Sequence, residues 1–222
     1  SNRLELEILL QHYTYDFLKL EAAKFLIRNM PHCYSYQQGS EMDSVKRVRT
    51  YYSPFGQIDQ TYARRWGHYT YRNLPKIYDA HIITAEYLID NIDRAFDNWQ
   101  KRPWNRSLSF EDFCEYLLPY RIGDEPLEEW RELYEKKYGY LLDSIYKGSD
   151  VVEAANLVSR HLQEPVFIYC EDFELPHIGP RYLFSHRYGS CVDAADIVTY
   201  AFRAVGIPCM EDTDASGGHV WN

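Results

Sequence analysis

The chain has 222 residues, 45% hydrophobic and 26% charged, a mixture that fits a folded globular body and excludes an intrinsically disordered one. Lys and Arg number 24 against 33 Asp and Glu, giving a formal charge of −9 with no basic run to offset it, so nucleic acid and anionic membrane surfaces are poor partners. No apolar stretch is long enough to span a bilayer, and the cysteines at 33, 114, 170, 191 and 209 contain no C-x-x-C pair, which excludes a zinc ribbon and a disulfide scaffold.

In chain order, Leu6, Leu9, Leu10, Tyr13, Phe17, Leu20 and Phe25 recur at helical spacing and predict one amphipathic helix over residues 4–27. Residues 31–78, broken by Pro31, Gly39, Pro54, Gly56, Gly67 and Pro75, read as an irregular connection with short helices or strands. Ile82, Ala85, Leu88, Ile89, Ile92, Ala95, Phe96 and Trp99 form one stripe of a stronger helix that Pro103 ends. Ser109 caps a helix that stops before Pro119, and Pro126 suits the first turn of a long charged helix reaching Tyr146. Ser149 or Asp150 then caps a helix ending near His161. Val166-Phe167-Ile168-Tyr169 is a short candidate strand, and the stretch to Arg187 reads as a loop. The 21 tyrosines are spread along the whole chain, which favours aromatic packing over a dedicated polar cleft.

Ser190 is a good N-cap, with Asp193 three residues on to complete a capping box, so Cys191 is predicted to open a helix. Ala194, Ala195, Val198, Ala201, Phe202 and Val205 continue its apolar face, and Gly206 with Pro208 stops it. A helix N-terminus presents unpaired N–H groups and partial positive charge, which suit a thiolate and an oxyanion. From this helix alone, a buried core thiol is an equally good account of Cys191. After it, residues 207–210 read as a strand, 211–218 as a turn, and 218–222 as the start of another strand carrying His219, a candidate general base.

Taken in order, Gly189-Ser190-Cys191-x-Asp193-Ala194-Ala195, Ala204-x-Gly206-Ile207-Pro208 and Gly218-His219-Val220-Trp221 resemble the core of the transglutaminase-like superfamily, papain-like enzymes with a Cys-His-Asp triad. The segments around Leu118-Pro119-Tyr120-Arg121, Glu125-Pro126-Leu127 and Trp130-Arg131 resemble parts of bacterial proteins bearing such a domain, although the residues alone favour a turn and a capped helix with a solvated charged face. The resemblance implies an α+β fold, with a mainly helical region over residues 1–165 and the start of the catalytic core over 166–222. It implies Cys191 as nucleophile and His219 as base. The expected action is on amide bonds of a protein or peptide, by hydrolysis rather than cross-linking, and without a cofactor or metal. Its competitor is a protein- or glycan-binding module that keeps the fold without turnover.

Tyr188, by adjacency, and Trp221, which shares a strand face with His219, are the expected substrate-lining residues. The family's third residue lies on the strand after the histidine, and the chain stops at Asn222, a poor substitute, so a truncated or cleaved product of a longer protein is expected. Cys191 sulfur and an imidazole nitrogen of His219 are expected within ~4 Å, with the histidine the weak point. Glu211, Asp212 and Asp214 do not match an EF-hand loop and read as an exposed acidic turn, and His186 reads as a solvated loop residue. Compartment, substrate and oligomeric state stay open at this level.

Overall fold

The computed structural model describes residues 2–40, 42–43, 46, 71–164, 166–169 and 176–222. The middle of the irregular connection expected over 31–78, and Cys170, lie outside them. The fold is mixed α+β, mostly helical, with three two-stranded sheets among the described residues. No helix among these residues is long and apolar enough to cross a membrane.

Two helices, not one, open the chain: α1 (Arg3–His12) and α2 (Phe17–Asn29). The predicted single helix breaks because the Asp16 side chain accepts from the Lys19 amide and caps a fresh start, while Tyr13 turns its hydroxyl to Asp93 at 2.8 Å. Antiparallel strands β1 (Tyr34–Tyr36) and β2 (Lys76–Tyr78) follow, and β2 runs straight into the single turn α3 (Asp79–Ile82). The expected stripe holds from Leu88 to Phe96 in α4 (Ala85–Lys101), capped by Thr84, but Ile82 is left exposed because α3 and α4 are separate. Ser109 caps α5 (Phe110–Tyr116) as predicted.

The helix expected to start at Pro126 starts at Arg131 instead, as α6 (Arg131–Tyr140), and ends in a π-turn over Leu141–Ile145. A local turn and longer-range bonds consume the preceding residues. The Glu125 carboxylate accepts the Ile122 and Gly123 amides at 2.7 Å each, and the Trp130 indole donates to Tyr120 O at 3.0 Å. Arg121, Glu125, Trp130 and Arg131 are all buried, which overturns the solvated charged face expected here. Arg131 donates to Asn91 Oδ1 and to the carbonyls of Leu117, Leu118, Pro119 and Arg203, so one guanidinium ties α4, α6 and the C-terminal helix together.

Asp150 caps α7 (Val151–Leu162). Strand β3 shrinks to Ile168–Tyr169 and pairs in parallel with β4 (Tyr188–Gly189). The loop expected before β4 contains a helix, α8 (Pro180–Ser185), opened by Gly179 at φ 108 with Pro180 in its first turn. The capping box then opens α9 (Cys191–Ala204). Gly206 adopts φ 83, and the Ile207 amide bonds back to Phe202 O at 2.9 Å, which closes α9 as predicted. A side chain at Gly206 would also meet Asn98 O at 2.8 Å, so glycine lets α9 finish against α4.

No strand forms over residues 207–210, because the Cys209 amide pairs with Tyr116 O instead. The terminal hairpin is β5 (Asp212–Thr213) with β6 (Val220–Trp221), antiparallel, and β5 falls within the stretch expected to be a turn. One apolar cluster gathers Leu9, Leu26, Leu88, Ile92, Phe96, Phe113 and Leu118; another gathers Trp130, Tyr134, Val158, Ile197, Tyr200 and Val205. Helix α9 runs through the second cluster and packs on α4, α6, α7, α8, β4 and β6, which is why its faces are nearly all buried.

Candidate active site

Cys191 is the first residue of α9 and is half-buried. The Ser190 amide donates to Asp193 Oδ2 at 2.8 Å, and the Ser190 hydroxyl lies 3.0 Å from the same oxygen. The buried Asp193 carboxylate therefore fixes where the helix begins and which amides Cys191 and its neighbours present to a ligand.

His219 is exposed and precedes β6. Its amide donates to Asp214 Oδ1 at 3.3 Å, and its ring tilts against Trp221 at 5.9 Å, the strand-face relationship expected of these two residues. Strand β6 packs on α9, and Asn222 fastens it there, donating to Ala195 O at 3.1 Å and to Thr199 Oγ1 at 2.7 Å. Among the described residues no hydrogen bond joins Cys191 to His219. Tyr188, on β4 two residues before the cap, sits in an aromatic group with Tyr182 and His186. His186 is half-buried rather than solvated: its ring stacks on Tyr182 at 4.2 Å and its Nδ1 lies 3.1 Å from Tyr182 O.

The cysteines differ in environment. Burial pushes the thiols of Cys33, Cys114 and Cys209 up, that of Cys114 to about 12, where almost no thiolate exists at neutral pH.

A second constellation was not anticipated. His177 Nδ1 lies 2.8 Å from Asp196 Oδ1, and Glu211 completes a group whose donor atoms all lie within 4.8 Å of one another. Asp196 is fully buried on α9; its Oδ2 and Glu211 Oε1 accept from no N–H group or hydroxyl, and the two carboxyl groups hydrogen-bond to each other when one is protonated. Burial, with Asp196 next to it, pushes the Glu211 carboxyl up to about 9. Burial works against a charged His177, but the Asp196 carboxylate outweighs it and raises the imidazole to about 10. Glu211 is therefore no part of an exposed acidic turn. Asp214 is, capping the hairpin loop through the Gly218 amide at 2.6 Å. The three residues carry no motif spacing. The one local signal is Asp196 itself, a carboxylate set among Ala194, Ala195, Ile197 and Val198 in a buried helix.

Comparison with family models, curated proteins and solved structures returned no match.

Proposed function

We propose that the chain carries the nucleophile and base of a transglutaminase-like thiol enzyme acting on amide bonds of a protein or peptide. The observation that carries this reading is the position of Cys191: first residue of a helix, behind a reciprocal capping box, half-exposed, with the strand that follows His219 packed on the same helix. In the reaction the Cys191 thiolate attacks the amide carbonyl carbon, and backbone N–H groups of the first turn of α9 receive the oxyanion. The C–N bond breaks as His219 returns a proton to the leaving amine. Water, deprotonated by His219, then cleaves the thioester and releases the acid, and an amine in place of water would give cross-linking. Tyr188 and Trp221 flank the two reacting residues in sequence and are the proposed lining of the substrate cleft.

A protein- or glycan-binding module on the same scaffold is the competing reading, favoured by the absence, among the described residues, of a Cys191–His219 hydrogen bond. Alkylation decides between them. With iodoacetamide near neutral pH, Cys191 is expected to react much faster than Cys33, Cys114 and Cys209, and His219→Ala is expected to slow it. Labelling of Cys191 no faster than that of the other thiols, or a rate indifferent to His219, would overturn the enzymatic reading.

A further inference from the structure

We propose that His177, Asp196 and Glu211 form a site for one divalent cation of the zinc or manganese class, held by Nδ1 of the histidine and one oxygen of each carboxylate. The residues come from three separate parts of the chain: the stretch before α8, the middle of α9, and the stretch between α9 and β5.

The geometry constrains which atoms face the ion. A side-chain atom at Gly123 would lie 2.3 Å from His177 Cδ2 and from Nε2, so that edge of the imidazole is seated on the glycine and Nδ1 is the atom turned to the carboxylates. Ligand atoms bound tetrahedrally at about 2.0–2.1 Å stand roughly 3.3 Å apart, so His177 Nδ1 and Asp196 Oδ1, hydrogen-bonded at 2.8 Å, need to part by only about half an ångström to take an ion between them. On the far side, Asp196 Oδ2 and Glu211 Oε1 are shut away from solvent and accept from no N–H group or hydroxyl, so that without an ion the two carboxyl groups can only share a proton with each other. Two buried carboxyl groups face to face are costly to ionise together unless a proton or a cation occupies the space they share.

The neighbouring charged groups leave those oxygens to each other. Glu125 spends both oxygens on the Ile122 and Gly123 amides. The buried Arg203 donates to Cys209 O and Arg121 O, not to either carboxylate. Once the ion has displaced the protons on His177 and between the two carboxyl groups, one imidazole and two carboxylates balance a divalent charge, and half-buried His177 and Glu211 give the ion a way in from solvent. The donor set selects the ion class. Imidazole nitrogen with carboxylate oxygen suits zinc or manganese, whereas calcium takes six to eight oxygens at longer distances.

The test is calorimetric titration of Zn2+ and Mn2+ into the chelator-stripped full chain. One equivalent of at least one ion is expected to bind, with affinity reduced at least tenfold in Asp196→Asn and in Glu211→Gln, and unchanged in Cys191→Ala. Glu211 is only half-buried, so Glu211→Gln decides the matter if the Asp196 variant does not fold, with circular dichroism checking both. The proposal is overturned by the absence of one-to-one binding of either ion, by binding that survives Glu211→Gln, by binding lost with Cys191, or by binding of calcium alone.

Discussion

Asp79 and Arg121, 42 residues apart, meet as a buried bidentate pair in which Arg121 Nε donates to Asp79 Oδ2 at 2.5 Å and Nη2 reaches Oδ1. Tyr120 donates to Asp79 Oδ2 as well, at 3.0 Å. The pair clamps the start of α3 to the segment that leads into α6.

Asp79→Ala removes the bidentate partner and leaves the buried guanidinium with only the Glu125 carboxylate, 3.8 Å from Nη1, a loss of roughly 3 kcal/mol. For a chain of this length that corresponds to a fall in Tm on the order of 10 °C. Thermal unfolding followed by circular dichroism measures it, and a Tm within 2 °C of the parent would contradict the clamp.

Asp193→Ala deletes one half of the capping box. Stability is expected to fall by about 1 kcal/mol in urea titration. Frayed amides hold an anion less well, so alkylation of Cys191 should slow as well. Unaltered alkylation beside the expected stability loss would separate the cap from the thiol.

Gly123→Ala forces a methyl group onto the His177 ring, at a cost of about 1–3 kcal/mol. In a His177→Ala background the ring is gone, and the penalty should shrink to a few tenths of a kcal/mol. A double-mutant cycle reads the difference, and additive effects would show that something other than the ring occupies that space.

Asp143 pairs with Lys101 at 2.7 Å and with the buried Arg102 at 2.8 Å. Burial opposes its ionisation, but the hydrogen bonds from the two cations outweigh it and hold the carboxyl below its ordinary value of 3.8. Because the folded state depresses the pKa, the unfolded chain takes up the proton first on acidification. The contribution is complete above the unfolded value and drains away as pH falls through the folded one. Asp143→Asn should therefore lose less stability than the parent between pH 5 and pH 3, by about 1 kcal/mol or less given the half-exposed carboxylate. Parallel urea midpoints across that range would remove Asp143 from the acid transition.

What the sequence disclosed follows the range of the forces involved. The start and end of α9 depend on Ser190, Asp193 and Gly206, all neighbours in the chain, and they were legible. The false start at Pro126 was not, because the residues just before α6 are held by Trp130 and Arg131, whose partners lie elsewhere in the chain, and by the Glu125 carboxylate folding back on its own turn. The break between α1 and α2 was written in Asp16, a cap that the continuous apolar stripe concealed. His177 and Glu211 come beside Asp196 only when the stretch before α8 and the one after α9 fold across the same helix, so no local pattern could disclose them.

The burial of α9 on nearly every face also determines how the candidate site moves in time. Amides in the interior of that helix are expected to exchange with solvent only when the whole second cluster opens, while the hairpin of two-residue strands, held to α9 by β6 and Asn222 alone, is expected to open at lower cost. Any motion between the two proposed reacting residues is then expected to be one-sided: the thiol rides on a stationary mount, and an approach of the imidazole would be an excursion of the hairpin.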